Sequence, residues 1–396
     1  MKRVLILNDQ QLEALDKAYN WYKSQYKQVF TICGAAGTGK TTIVSALIER
    51  LGLEPHQVLF MAYIGKAAMV LSMKGNFAKT IHSSIYDIAQ VPRYDEFGSP
   101  IMKHGRAVTR MGFVKKETIG RDIKLLVIDE ASMVNKDIAL DIMSFGIPII
   151  TLGDLNQLPP VFGAPYLLHE PDVVLTEIMR QAKGNPIVVL ANMILEGYDI
   201  PLGKYGNKCL VIPKQNVTDE LMMRSDIILC AKNATRDGIN YHIRHNIRGI
   251  ETEFPMVGDK VICRKNNWGL TLKKSGLSLI NGMIGYIDAI DLSSYKKSSI
   301  KIDFRPDFID DEYFRNILID PNWMFMSYHQ KQQAQYNPFD QTNKFEFGYA
   351  ITVHLSQGSQ FNNVLLFDEW MGDKEFYKKL MYTGITRAVN GLVIAR

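Results

Sequence analysis

Unbroken apolar runs of strand length recur along the first 160 residues. Residues 29–32, 58–61, 125–128 and 147–152 each read as a strand buried on both faces. Between them lie segments with helical period, such as residues 42–50. Strands alternating with helices predict a parallel sheet covered on both sides. A second set of runs, at residues 226–230 and 364–367, predicts a second α/β unit beginning near residue 176. From about residue 253 to 344 the texture changes to glycine turns and alternating segments such as Met283-Ile284-Gly285-Tyr286-Ile287, the pattern of a small β-rich insertion. Residues 84–122 interrupt the first unit with a basic, irregular stretch. The expected organisation is 1–175, then 176–252 and 345–396 as one unit, with 253–344 inserted into it.

Composition narrows the class. The chain has 396 residues, 46% of them hydrophobic, so two or three domains with sizeable cores are expected. A formal net charge of +5 is compatible with a polyanionic partner without demonstrating one. Cys33, Cys209, Cys230 and Cys263 have neither zinc-finger nor redox spacing and read as reduced buried thiols. The apolar run at the N-terminus is too short for a signal peptide, and no stretch reaches membrane-spanning length. A cytoplasmic protein with no membrane partner is expected.

Candidate chemistry starts after the first apolar run. Gly34-Ala35-Ala36-Gly37-Thr38-Gly39-Lys40-Thr41 fits G-x-x-x-x-G-K-[ST] between a strand and a helix. Its glycines let backbone N–H groups turn toward phosphate oxygens at a helix N-terminus. Lys40 would sit on the β and γ phosphates and Thr41 would give its hydroxyl to Mg²⁺. Thr42 completes the expected ATP-binding set. Asp129 and Glu130 close another apolar run, where the carboxyl end of a parallel strand faces the ligand crevice. Asp129 is the candidate Mg²⁺ ligand and Glu130 the candidate base for the attacking water. Alone, such a pair is as often a solvated strand end. The phosphate loop upstream favours the functional role.

Other segments separate a motor from a kinase or GTPase. Leu7-Asn8-Asp9-Gln10-Gln11, Gly65-Lys66-Ala67-Ala68, Thr80-Ile81-His82-Ser83, Gly153-Asp154-Leu155-Asn156-Gln157-Leu158-Pro159-Pro160-Val161, Leu175-Thr176-Glu177-Ile178-Met179-Arg180-Gln181, Thr352-Val353-His354-Leu355-Ser356-Gln357-Gly358 and Tyr382-Thr383-Gly384-Ile385-Thr386-Arg387-Ala388 follow one another in that order. This ordered set resembles the motifs of the superfamily 1B helicases, the RecD-like and Dda-like enzymes, and spans residues 7–388. The resemblance implies two RecA-like P-loop domains, with an SH3-like β insertion in the second. It implies that Gln11 reads adenine, Gln157 senses the γ-phosphate, and Lys66, Thr80, His82, Thr352 and His354 contact nucleic acid. It further implies a DNA helicase or single-strand translocase using ATP and Mg²⁺, moving 5′-to-3′.

Physical logic runs the same way. Phosphoryl transfer needs positive charge on the γ-phosphate in its transition state. Arg180 and Arg387 lie far along the chain, so both reaching one cleft would make ATP bridge two units and its hydrolysis open and close them. Residues 260–287 hold Lys260, Arg264, Lys265, Lys273 and Lys274, no acid before Asp288, and Trp268 and Tyr286. That mix suits a single strand, with Trp268 as a candidate stacking residue, and equally suits an exposed hairpin with solubilising lysines. Residues 103–124 carry seven Lys or Arg against Glu117 and Asp122. A duplex-splitting element is expected there, with Met111 and Phe113 as blocking side chains. The expected partners are single-stranded DNA and its junctions with duplex, engaged by a monomer. A 3′-to-5′ or non-unwinding translocase, or a nucleotide-gated binding module, are the alternatives.

Overall fold

The computed structural model describes residues 7–92, 99–103, 106–159, 166–177, 184–293, 299–334 and 341–396. Its first sheet is wholly parallel. From one edge to the other it runs Val173–Leu175, Val29–Gly34, Ile149–Gly153, Leu125–Asp129, Val58–Ala62 and Ala78–Thr80. The central strands read as continuous apolar runs because both faces are covered: Leu125 to Ile128 are fully buried. One face packs the helices Asp9–Ser24 and Lys40–Leu51 through Trp21, Ile43, Val44 and Leu47. The other packs Lys136–Met143 through Ile138 and Ile142. The apolar run at 147–152 becomes strand only from Ile149, because Pro148 has no N–H to give the ladder.

The second sheet runs Gly203–Tyr205, Cys209–Ile212, Ala388–Ala395, Phe361–Phe367, Ile227–Cys230 and Ala350–Thr352. Only its first strand is antiparallel. A third sheet, all antiparallel, is inserted before Ala350–Thr352: Phe314–Ile319, Ile300–Pro306, Ile284–Asp291, Lys260–Cys263 and Phe345–Phe347. Ile300–Pro306 alternates buried and half-buried residues at every step, the signature of a strand with one face on a core. Asp259 anchors the root of this insertion. Fully buried, it accepts from Arg244, Arg248, Tyr349 and the Met256 N–H.

Within the interruption expected to be irregular, described residues form two long paired strands. Tyr86–Pro92 pairs with Thr109–Lys115 in register from Tyr86↔Lys115 to Pro92↔Thr109, making a long antiparallel hairpin. It rises directly from the short helix Ile81–Ile85, capped by the Thr80 side chain on the Ser83 N–H. No two-residue turn signal joins these strands directly, because 16 residues separate Pro92 from Thr109.

Candidate functional site

The phosphate loop leaves the strand Val29–Gly34 and enters Lys40–Leu51. Gly39 caps that helix in the left-handed region, φ 83°, which a side chain rarely adopts. The Lys40 ammonium donates to the Gly34 and Ala35 carbonyls at 2.6 and 3.1 Å, so it lies across the mouth of the loop. Gln11 is buried, and its carboxamide donates to the Thr38 carbonyl at 2.9 Å while accepting from the Asn8 N–H. Here Gln11 steadies the loop. Its neighbour Gln10 accepts from the Thr176 and Glu177 N–H groups, both at 3.0 Å. The chain from Thr176 leads to Arg180, which lies outside the described residues.

Asp129 ends its strand with Oδ1 accepting from the Glu130 N–H at 3.0 Å. Glu130 follows with φ 53°, a left-handed backbone. Such a conformation in a non-glycine residue costs about 1–3 kcal/mol and clusters at functional sites. Burial raises both carboxyl groups above the usual range. Lys40 pulls Asp129 back toward ionisation, and Arg387 is the main cation that does so for Glu130. Gln157 is buried, and its Oε1 has no hydrogen-bond partner among the described residues. An orphaned buried acceptor costs about 1–3 kcal/mol, which a donor arriving in the site would relieve.

The second α/β unit closes this cleft. Tyr382 is 1% exposed; its hydroxyl donates to Asp154 Oδ2 at 2.5 Å and accepts from the Ala36 N–H of the phosphate loop at 2.9 Å. Thr383 Oγ1 accepts from the Leu158 N–H, and Gln357 donates to the Leu158 carbonyl. Arg387, 3% exposed, donates to the Thr383 and Ser359 carbonyls and to Thr386 Oγ1. Its guanidinium is thereby fixed within its own unit while its field falls on Glu130. Sequence reasoning placed Arg387 here but not Tyr382, Thr383 or Gln357. They sit in quoted motifs, and only the fold shows that each spans the cleft.

A second surface lies beyond the carboxyl ends of the strands. Thr80 is buried and caps its helix. His82 packs among Tyr63, Tyr86 and Phe113, with ring centroids 5.5–5.8 Å apart. Phe113, on the hairpin, is 51% exposed. A cavity beside Thr80 and Gly65 has Gly276, Leu277 and Ile280 of the insertion as its far wall. A Cβ on Gly65 would lie 1.8 Å from Ile280 Cδ1, so a larger residue there would force the Ile280 side chain to shift. Thr352 ends its strand, accepting from Leu355 N–H, and His354 stacks on Phe376 at 5.8 Å. Burial lowers the pKa of His82 and of His354, keeping both rings neutral near pH 7. The side chains of Lys66, Met111 and Trp268 lie outside the described residues.

The basic stretch at 260–287 differs from a strand-binding stripe. Lys260 is buried and donates to the Asp226 carbonyl, Arg264 pairs with Glu346, and Lys274 pairs with Asp311. Lys260 thus ties the insertion to the second α/β unit, while Arg264 and Lys274 pair within the insertion.

Residues 6–206 match the family model described as AAA domain, and residues 347–395 match the UvrD-like helicase C-terminal domain. The chain is 25% identical to the ATP-dependent RecD2 DNA helicase of Deinococcus radiodurans over 96% of its own length, and spans about half of that protein, 48%. It is 24% identical to the ATP-dependent DNA helicase dda of Enterobacteria phage T4, covering 91% of this chain and 93% of dda. The solved structure of Bacteroides Pif1 bound to ssDNA shares the fold over 99% of this chain and 93% of that one, with a TM-score of 0.53 at 19% identity. With the first model covering just over half of the chain, the protein belongs to the AAA-domain family that it describes, and the helicase C-terminal match together with the RecD2 and dda relatives supports its place among the superfamily 1B helicases.

Proposed function

We propose that this chain is an ATP-driven DNA helicase that moves 5′-to-3′ along single-stranded DNA. The observation that carries the reading is the cleft itself: a phosphate loop and acidic strand end in one α/β unit, faced by Arg387 and Tyr382 of the other. Lys40 binds the β and γ phosphates, displaced from the loop carbonyls it now touches. Glu130 takes the proton of the attacking water, and the free Oε1 of Gln157 orients that water. Thr41 and Asp129 would hold Mg²⁺, which supplies positive charge on the phosphates; Asp129, buried and raised, is a carboxyl whose ionised form a cation favours. Arg387, with Arg180 as its partner, stabilises charge developing on the γ-phosphate. Gln11 acts at the adenine end of the loop.

Because these groups come from both units, turnover requires a closed cleft. Bond breaking and release then relax the Tyr382–Asp154–Ala36 bridge and let the units part. Thr80 and His82 grip the strand on one unit and Thr352 and His354 on the other, so alternate tightening moves it. Lys66 and Trp268 add contacts along the same path. The hairpin Tyr86–Lys115 stands beside Thr80 and His82, with exposed Phe113 at its flank, and splits the duplex.

The test is strand displacement with ATP on duplexes bearing either a 5′ or a 3′ single-stranded tail. The 5′-tailed duplex is expected to unwind and the 3′-tailed one to resist. The reverse preference would refute the direction, and no unwinding of either would leave a translocase. In the same assay, replacing residues 94–120 by a short Gly/Ser linker should lower unwinding sharply while strand-stimulated ATP turnover and translocation survive. Unwinding at the normal rate by that variant would move the splitting element elsewhere.

A further inference from the structure

We infer that Trp370 is a base-stacking platform for the tracked single strand on the second α/β unit. Three observations converge. First, Trp370 is 55% exposed, although a tryptophan of its size gains most by burial. One side of its ring meets Tyr377, with centroids 5.4 Å apart, and the rest faces solvent.

Second, the loop that carries it is held rigidly on both sides. Glu369 accepts from the Ala231 N–H at 2.7 Å, the Lys232 N–H at 3.0 Å and Thr235 Oγ1 at 2.6 Å. Asp368 accepts from the Tyr377 hydroxyl and pairs with Arg396, and Asp373 caps the following helix. An exposed aromatic on a fixed loop loses little freedom when something stacks on it.

Third, its position continues the surface assigned to the strand. The strands ending at Phe367, Cys230 and Thr352 are parallel neighbours, so Thr352 lies two strand spacings, about 10 Å, from the start of the Trp370 loop. Tyr377 and Phe376 are adjacent in one helix: the first touches Trp370 and the second stacks on His354. Lys232, exposed, gives its backbone N–H to Glu369, which ties the end of the neighbouring strand to the foot of the Trp370 loop. The sequence offers 18 tyrosines, 18 phenylalanines and four tryptophans, and nothing in it singles out this one.

The inference rests on the strand reading above, and oligo(dT) tests them separately. Wild-type protein should bind oligo(dT) with quenching of tryptophan emission, and Trp370→Phe should lose its own share of the quench, with Trp268 keeping the rest, while holding Kd within about threefold. Trp370→Ala should weaken oligo(dT) binding about 5- to 100-fold, the range for one stacked base, with KM for ATP unchanged. An abasic strand of equal length should bind wild type and Trp370→Ala alike, since neither has a base to stack. Equal loss on both strands would mean the ring only supports the loop, and an unchanged Kd would mean it touches no base; either result overturns the inference. Failure of the wild type to bind oligo(dT) would overturn the strand reading with it.

Discussion

Arg387→Ala should lower strand-stimulated ATP turnover by about 10³-fold or more, the usual worth of an arginine that meets the γ-phosphate in the transition state. The guanidinium is already positioned: three hydrogen bonds to Thr383, Ser359 and Thr386 hold it, and its charge bears on Glu130. Binding of single-stranded DNA should fall far less, because the strand contacts proposed above are Thr352 and His354 and not Arg387. Those same three hydrogen bonds mean that alanine also removes packing, so Arg387→Lys is the control. Lysine keeps the charge but not the planar fork, and should recover stability before activity. Turnover within a few-fold of wild type in a folded Arg387→Ala protein would remove Arg387 from its assigned role.

Glu130→Gln should leave ATP binding intact and lower hydrolysis by about 10²- to 10⁴-fold, the range for loss of a positioned base. The pH profile gives a second reading. Burial raises the Glu130 pKa, and Arg387 counters that rise. A base works ionised, so turnover should increase as pH climbs through an acid limb displaced above the ordinary carboxylate range. The limb should vanish in Glu130→Gln and move further up in Arg387→Ala, which loses the opposing cation. A limb unchanged in Glu130→Gln would assign it to Asp129 instead.

Much of this cleft was legible in the sequence because its parts are local. The phosphate loop needs eight consecutive residues, and Asp129-Glu130 follow a strand whose four apolar residues are buried on both faces. Runs of that kind announce parallel strands without any knowledge of their partners. What stayed hidden depends on distant pairing. Tyr382 reaches Ala36 across 346 positions, and Gln357 reaches Leu158 across 199. Arg264 and Lys274 looked available because their acids, Glu346 and Asp311, lie well downstream in the folded insertion. The hairpin at Tyr86–Lys115 was masked by the long connection between its strands, and Trp370 became distinct only through Tyr377 and Glu369.

In the proposed cycle, a strand lying across both units drives nucleotide chemistry at this cleft. The direct measurement is steady-state ATP hydrolysis by the intact chain, with and without oligo(dT), over a range of strand concentrations. A slow basal rate is expected to rise saturably with oligo(dT), with the half-maximal concentration increasing as salt is added, because counterions are released on binding. The same rate with and without the strand would mean that no strand couples the two units to the cleft.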